Sequence, residues 1–133
     1  MYKVAKTTSF CYGHRLLNYD GKCKHLHGHN GRVEIVLSSK KLDRRGMVVD
    51  FGDVKEIVKS FVDRELDHKM ILCEKDSVLP LLKARREPCF VMKENPTAEA
   101  IAKLIYDFAK SKNLPVISVK LWETDTSFAE YSG

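Results

Sequence analysis

A short stretch near the N-terminus concentrates side chains that bind metals and transfer protons. Residues 21–29 contain Cys23 and three of the five histidines of the chain, His25, His27 and His29. Imidazole and thiolate are the ligands that zinc prefers, and imidazole is also the usual group for proton transfer near neutral pH. The stretch therefore indicates a metal site with a reactive thiol beside it.

The alternation of the three histidines limits how many of them can share one ion. In an extended segment they point to one face, and residues two apart are roughly 6.5–7 Å apart at Cα, whereas His25 and His29 are roughly 13 Å apart. One strand can thus supply two ligands, and a third must come from His14 or His68. His14 ends the first predicted strand and would lie beside the second strand in a hairpin, so it is the better candidate. Three neutral histidines leave a fourth position open, as in catalytic zinc sites.

Cys23 allows two interpretations. Thiolate also suits zinc, so a closed site made of Cys11, Cys23, His27 and His29 is the alternative ligand set. If Cys23 does not bind the metal, a thiol near a dication and several lysines is a candidate base or nucleophile. The remaining cysteines are widely spaced, and a disulfide framework is not expected in a chain of this type.

Five polar residues farther along the chain are further candidates for the site. Asp67 can orient the ring of His68 and stabilise its cation, although a histidine at a helix end also interacts favourably with the helix dipole. Glu123 continues an apolar strand face, so it lies either in water at the strand end or in a pocket with a partner. A glutamate in a pocket commonly pairs with a ligand that offers two parallel N–H donors. Thr97 and Glu99 are candidates near a pocket, but first-turn helix positions explain them equally well.

Hydrophobic periodicity predicts the elements that position these residues. Alternation of apolar and polar residues predicts strands at 2–10, 32–38, 116–123 and 128–131. Apolar residues at i, i+3, i+4 spacing predict two helices. The first begins at Asp53, and the second has Asn95 as its cap and Pro96 at its first position. A short helix near 78–83 and a short strand at 89–92 are weaker predictions. The order ββααββ predicts one α+β domain over residues 1–133, with two helices on one face of an antiparallel four-stranded sheet.

Bulk composition restricts the class of protein. The chain has 133 residues, 44% hydrophobic and 31% charged, and a formal net charge of +5. This charge suits an anionic ligand such as a phosphate ester, but the basic runs are typical of solvated loops rather than of a nucleic-acid surface. No window is apolar enough for a membrane span, and the first residues do not form a secretory signal, so we expect a cytoplasmic protein without a membrane partner.

Several groups of residues occur together in an order typical of one family. They are His14, Cys23-x-x-x-His27-Gly28-His29-Asn30, Val49-Asp50-Phe51-Gly52-Asp53-Val54-Lys55, Leu66-Asp67-His68, Asn95-Pro96-Thr97-Ala98-Glu99 and Trp122-Glu123-Thr124. In these motifs the chain resembles the 6-pyruvoyltetrahydropterin synthase family, which includes the 6-carboxytetrahydropterin synthases of queuosine precursor synthesis. The resemblance runs from about Val4 to Tyr131.

The resemblance implies a tunnelling fold (T-fold), in which subunits join their sheets into a barrel as trimers or as hexamers made of two trimers. It implies zinc as the cofactor, bound by His14, His27 and His29. It also implies that Cys23 is the catalytic base and that Asp67 and His68 of a neighbouring subunit activate it. Glu123 matches the residue expected to anchor the pterin ring, and Thr97 and Glu99 match a motif near that pocket.

The implied substrate is 7,8-dihydroneopterin triphosphate, and the implied products are 6-carboxy-5,6,7,8-tetrahydropterin, acetaldehyde and triphosphate. The alternative within the family is a 6-pyruvoyltetrahydropterin synthase, which eliminates triphosphate without cleaving the side chain. The alternative from another class is a zinc-stabilised basic protein that binds nucleic acid. Cys11 and Tyr12 depart from the small alanines that many relatives carry before His14, and His25 has no role in the family pattern.

Overall fold

Six strands form one mixed sheet in the computed structural model, which describes all 133 residues. In spatial order the strands are β4, β3, β1, β2, β5 and β6. The two central pairs, β1 with β2 and β2 with β5, are antiparallel, whereas β3 and β4 add to the β1 edge in parallel. The strand bounds are β1 (Tyr2–His14), β2 (His27–Ser39), β3 (Lys69–Cys73), β4 (Cys89–Met92), β5 (Val116–Thr124) and β6 (Ser127–Tyr131).

The prediction of a four-stranded antiparallel sheet is wrong in its strand count. β1 and β2 are each 13 residues long and extend beyond the predicted bounds to His14 and from His27. The extra length of β1 provides an edge on which β3 pairs, with Tyr12 opposite Lys69. The last three residues of β3 are all buried, so this strand lacks the alternation that marks a half-exposed strand. β4 confirms the weaker prediction of a short strand at 89–92.

The helices cover one face of the sheet. The first helix (α1, residues 51–66) begins as α-helix at Phe51–Val54 and continues through the π-helical turns Lys55–Lys59 and Val62–Leu66. The others are α2 (Leu79–Ala84), α3 (Ala98–Ser111) and a single 3₁₀ turn at Lys22–Lys24. None of these helices combines the length and the apolar character needed to cross a membrane.

Both long helices begin at residues other than the predicted ones. Asp50 rather than Asp53 caps α1, where its Oδ1 accepts from the backbone N–H of Gly52 at 2.7 Å. Thr97 caps α3 by accepting from the N–H of Ala100 at 3.1 Å. The predicted cap Asn95 instead exchanges two hydrogen bonds of 2.8 Å with the backbone of Leu17, so it ties the start of α3 to the loop after β1.

The core lies between the sheet and the helices. It is one cluster of 21 buried residues, to which β2 contributes Val33, Ile35 and Leu37, each at most 2% exposed. The stacked rings of Phe61 and Phe108, with centroids 4.0 Å apart, join α1 to α3. Burying each such side chain contributes roughly 1.5–3 kcal/mol, so the inward face of β2 cannot easily be turned outward.

A buried ion pair fixes the residue that follows β1. The carboxylate of Asp76 is fully buried and accepts from Nε of Arg15 at 2.8 Å, from Nη2 of the same guanidinium, and from the N–H of Val78 at 2.9 Å. The hydrogen bonds from Arg15 hold the pKa of Asp76 below its ordinary value in spite of burial. The pair connects the chain next to His14 with the loop after β3.

We expect Asp76→Ala to lower the free energy of unfolding at pH 7 by about 2–3 kcal/mol, because it leaves the partly buried guanidinium of Arg15 without its partner. Since the pKa of Asp76 is lower in the folded state than in the unfolded chain, this contribution is complete above about pH 4 and disappears as the pH falls through the folded pKa. Urea denaturation at pH 7 and at acidic pH measures the difference. Asp107→Ala, which removes the exposed Lys103–Asp107 pair, is the matched control and should change stability little; an equal effect of both variants would contradict the prediction.

Candidate metal centre

The register of β1 and β2 brings three histidines together. His14 lies directly opposite His27, and Tyr12 lies opposite His29, so all of these side chains point to the same face of the hairpin. The ligand atoms of the three histidines lie within 4.8 Å of one another, and no cysteine belongs to this group. The structure therefore assembles the predicted set His14, His27 and His29, which could hold a metal ion.

Backbone carbonyls orient two of the imidazoles. His14 donates from Nδ1 to the carbonyl of Pro96 at 2.7 Å, and His27 donates from Nδ1 to the carbonyl of His25 at the same distance. These bonds leave a lone pair on each Nε2. Nε2 of His27 is buried without a hydrogen-bond partner, and Nε2 of His14 lies 3.2 Å from Nε2 of His29. A buried lone pair without a partner is costly, and a metal ion among these nitrogens would satisfy it.

Burial favours the neutral, metal-binding form of His14. The residue is 2% exposed, and this burial lowers the pKa of its imidazole below the ordinary value. The nearby rings of His27 and His29 lower it further, whereas the Pro96 carbonyl and Glu123 oppose the shift. Because only a neutral imidazole offers a lone pair, the direction of the shift agrees with metal binding.

Glu123 lies at the edge of the histidine group. Its Oε1 is 3.7 Å from Nε2 of His14 and 3.9 Å from Nε2 of His29, and it accepts from the hydroxyl of Tyr12 at 3.1 Å. Burial and the neighbouring carboxylate raise the pKa of Tyr12 far above its ordinary value, so the hydroxyl remains a donor. The sequence allowed Glu123 to lie either in water or in a pocket with a partner, and the structure shows the second arrangement. Its carboxylate is partly buried, and its partners are the hydroxyl of Tyr12 and the imidazoles of His14 and His29.

A cavity of about 210 Å³ opens beside the histidine group. Its walls include His14, Cys23, Glu123, Thr97 and Glu99. Cys23 is half-buried on the 3₁₀ turn, and its carbonyl accepts from the N–H of Leu16 at 2.8 Å. The structure thus brings together five residues predicted separately from the sequence, and they place an imidazole, a thiol, a hydroxyl and two carboxylates around one space.

The alternative ligand set with two cysteines does not form. Cys11 is exposed, and its neighbours Phe10 and Tyr12 are buried on the opposite face of β1. The thiol of Cys11 donates to Oδ1 of Asn30 at 2.9 Å, away from the histidine group. A closed site of Cys11, Cys23, His27 and His29 is therefore wrong for this chain.

Asp67 and His68 form the predicted pair, outside the Cys23 cavity of their own chain. Oδ2 of Asp67 lies 2.8 Å from Nδ1 of His68, and Oδ1 accepts from the backbone N–H of Cys11 at 2.9 Å. Burial raises the pKa of Asp67, but the bonds from Cys11 and His68 outweigh it, so the net shift is downward. His68 lines a cleft of about 670 Å³, with its side chain 78% exposed. Neither residue lines the cavity that contains Cys23.

Three groups at the site were not assigned a role from the sequence: the hydroxyl of Tyr12 and the carbonyls of His25 and Pro96. The sequence could have placed Tyr12 at the site, because it lies two residues before His14 in a strand and must therefore share its face. The sequence could not have identified the two carbonyls, since every residue has a backbone carbonyl. His25 is exposed as expected and contributes only this backbone oxygen.

The α+β fold and the three converging histidines define a domain with a candidate metal site built on a β-hairpin. The model of one family, described as 6-pyruvoyl tetrahydropterin synthase, matches residues 3–133, and the chain belongs to this family.

Relatives with assigned names are similar over nearly their full length. A 6-carboxy-5,6,7,8-tetrahydropterin synthase of Rickettsia conorii is 36% identical over 137 residues, covering 98% of this chain and 99% of the relative. The enzyme of the same name from Haemophilus influenzae is 36% identical over 139 residues, with the same coverage. The fold is similar to that of the Caenorhabditis elegans 6-pyruvoyl tetrahydropterin synthase, with a TM-score of 0.75 at 22% identity over 99% of this chain and 95% of that one.

We expect His27→Ala to abolish stoichiometric binding of a divalent metal, because it removes the ligand atom that has no other partner. His25→Ala is the matched control: it is two residues away, and the substitution retains the backbone carbonyl that orients His27. Elemental analysis of the purified proteins after exhaustive dialysis measures the metal content. One metal ion per chain in His27→Ala would refute the ligand set.

Proposed function

We propose that this chain is a zinc-dependent lyase that converts 7,8-dihydroneopterin triphosphate into 6-carboxy-5,6,7,8-tetrahydropterin, acetaldehyde and triphosphate, working as a single T-fold domain. The observation that carries the proposal is the convergence of three imidazoles beside a cavity that also contains a thiol and two carboxylates. Full-length relatives named 6-carboxy-5,6,7,8-tetrahydropterin synthase support this choice within the family.

The three histidines fit zinc in both chemistry and orientation. The two Nδ1–H groups bound to carbonyls fix the tautomers, so that Nε2 of His14 and of His27 are available as ligand atoms. Zinc held by His14, His27 and His29 would supply Lewis acidity to the side-chain hydroxyls of the substrate and leave a fourth coordination position for them.

Cys23 is the proposed base. It shares the cavity with His14 and Glu123, so a substrate side chain held at the histidines lies against the thiol. A cysteine outside the ligand group is free to accept a proton from carbon, which a metal-bound thiolate is not. The net charge of +5 favours the approach of a triphosphate.

The positions of the two carboxylates suggest a division of roles that differs from the sequence-based expectation. The pterin ring edge and the side-chain hydroxyls are opposite ends of the substrate. Glu123 lies within 4 Å of two ligand nitrogens, so it faces the hydroxyl end of a substrate bound at the metal. Glu99 and Thr97, at the start of α3 and on the same cavity, are better placed to accept from the ring N–H groups. We therefore assign ring binding to Glu99 and Thr97, and the reacting side chain to Glu123.

Asp67 and His68 are proposed to act on the Cys23 of a neighbouring copy, because neither lines the Cys23 cavity of its own chain. The sheet has edges suited to such an assembly. β6 is a terminal strand, and residues 2–11 of β1 have no strand partner on the side away from β2. Unpaired edges are templates for pairing with another chain, which supports a homo-oligomer, a trimer or a hexamer of two trimers.

Incubation with 7,8-dihydroneopterin triphosphate is the direct test of this function. We expect acetaldehyde and the carboxypterin in equal amounts, detected by carbonyl derivatisation and by mass spectrometry. Release of triphosphate with a pyruvoylpterin and no acetaldehyde would instead assign the chain to the 6-pyruvoyltetrahydropterin synthases. Absence of any conversion by the zinc-loaded protein would reject both assignments.

Complementation between variants tests whether two copies share a site. Cys23→Ala and His68→Ala are each expected to retain zinc but to lose nearly all turnover. If one copy supplies the thiol and another the Asp67–His68 pair, mixing equal amounts after dissociation and reassembly restores about one quarter of the wild-type activity, because about one site in four regains both groups. The control is reassembly of each variant alone. Activity that stays absent in the mixed assemblies would place all three residues within one chain.

A further inference from the structure

Tyr12 is the residue of the site that the proposed function does not use. It is 3% exposed, and its hydroxyl donates to Oε1 of Glu123 at 3.1 Å. Its ring stands edge-on to that of His14 at 5.2 Å and lies 5.6 Å from that of His29. The hydroxyl is therefore directed at the one carboxylate that borders the metal ligands.

The spacing of atoms around the histidine group indicates where Glu123 would lie relative to a bound metal. With metal–ligand bonds of 2.0–2.2 Å in a tetrahedral site, adjacent ligand atoms are roughly 3.3–3.6 Å apart. Nε2 of His14 and Nε2 of His29 are 3.2 Å apart, close to that spacing. Oε1 of Glu123 is 3.7 Å and 3.9 Å from these nitrogens, a few tenths of an ångström farther. Beside a zinc ion held by the three histidines, Glu123 would thus lie next to the fourth ligand position without occupying it.

We infer that Tyr12 is a positioning residue that holds Glu123 outside the coordination sphere, so that the fourth position stays available for substrate. The inference deepens the proposed function and rests on it for the identity of that substrate. Without the hydroxyl, Oε1 would lose its donor and could satisfy its charge by moving the short remaining distance to the metal. A glutamate bound to the metal would occupy the position that the substrate needs.

The packing around Tyr12 fixes the direction of its hydroxyl. Its ring stacks on Phe10 with centroids 4.9 Å apart. Gly31, on the neighbouring strand, leaves the space for this pair: a Cβ there would come within 2.9 Å of Cε1 of Tyr12 and 3.2 Å of Cε1 of Phe10. Buried aromatic rings cannot give way as the end of a flexible side chain can, so Tyr12 and Gly31 are fitted to each other.

Cobalt substitution tests the inference without relying on turnover. The d–d absorption of the Co²⁺-loaded protein reports carboxylate coordination. We expect Glu123→Gln to leave the wild-type spectrum unchanged and Tyr12→Phe to shift it, and we expect the shift to disappear in the Tyr12→Phe/Glu123→Gln double variant.

The turnover of Tyr12→Phe should fall about 10- to 100-fold, the effect of losing a hydrogen bond to a charged group. Tyr106→Phe, at a buried tyrosine outside the site, is the matched control and should change neither property.

Two results would overturn the inference. A wild-type cobalt spectrum that changes on Glu123→Gln would mean that the glutamate is already a ligand. A Tyr12→Phe protein with wild-type spectrum and wild-type turnover would mean that the hydroxyl has no positioning role. Gly31→Ala supplies a second variant, because it displaces the ring and retains the hydroxyl, and it is expected to give the same spectral shift. If the wild-type protein does not convert the pterin, the proposed function fails, and the cobalt spectra alone still decide the role of Tyr12.

Discussion

The candidate metal centre depends on the register of the β1–β2 hairpin. Side chains alternate between the two faces of a strand, so a slip of one residue would turn His27 and His29 away from His14. What prevents the slip is the core, because the same register places Val33, Ile35 and Leu37 against the helices with almost no exposure. The apolar half of β2 therefore fixes the position of the ligands in its first three residues.

The second constraint comes from the start of α3. The carbonyl of Pro96, one residue before the Thr97 cap, orients His14, and the side chain of Asn95 holds the backbone of Leu17 in the loop that leads to Cys23. One short segment thus sets the imidazole tautomer and the path of the chain that carries the thiol. This explains why a helix N-terminus far along the sequence belongs to the site, even though few of its side chains contact the histidines.

The sequence was sufficient to predict the placement of side chains where the alternation of a strand determines which face they occupy. Alternation predicted that His27 and His29 share a face, and the hairpin placed His14 beside them. It was insufficient for β3, whose consecutive buried residues Ile71, Leu72 and Cys73 leave no alternation, and for the helix starts, where several residues could serve as caps. It also could not show that Glu123 lies beside the imidazoles, because a strand position gives the face of Glu123 but not the distance of its carboxylate from them.

The two faces and edges of β1 serve different purposes. Tyr12 and His14 point into the domain, toward the metal centre. The backbone of Cys11, one residue before Tyr12, is turned to the strand edge, where its N–H donates to Asp67 and its carbonyl accepts from the N–H of His68 at 2.7 Å. His68 also adopts a left-handed backbone, at φ +57°, which costs a non-glycine residue free energy and is retained only where the surroundings require it. An exposed Asp–His pair gains little stability from such a geometry. The proposed homo-oligomer would account for this geometry, because the Cys23 cavity of a neighbouring copy would then lie beyond the edge of β1 that holds Asp67 and His68.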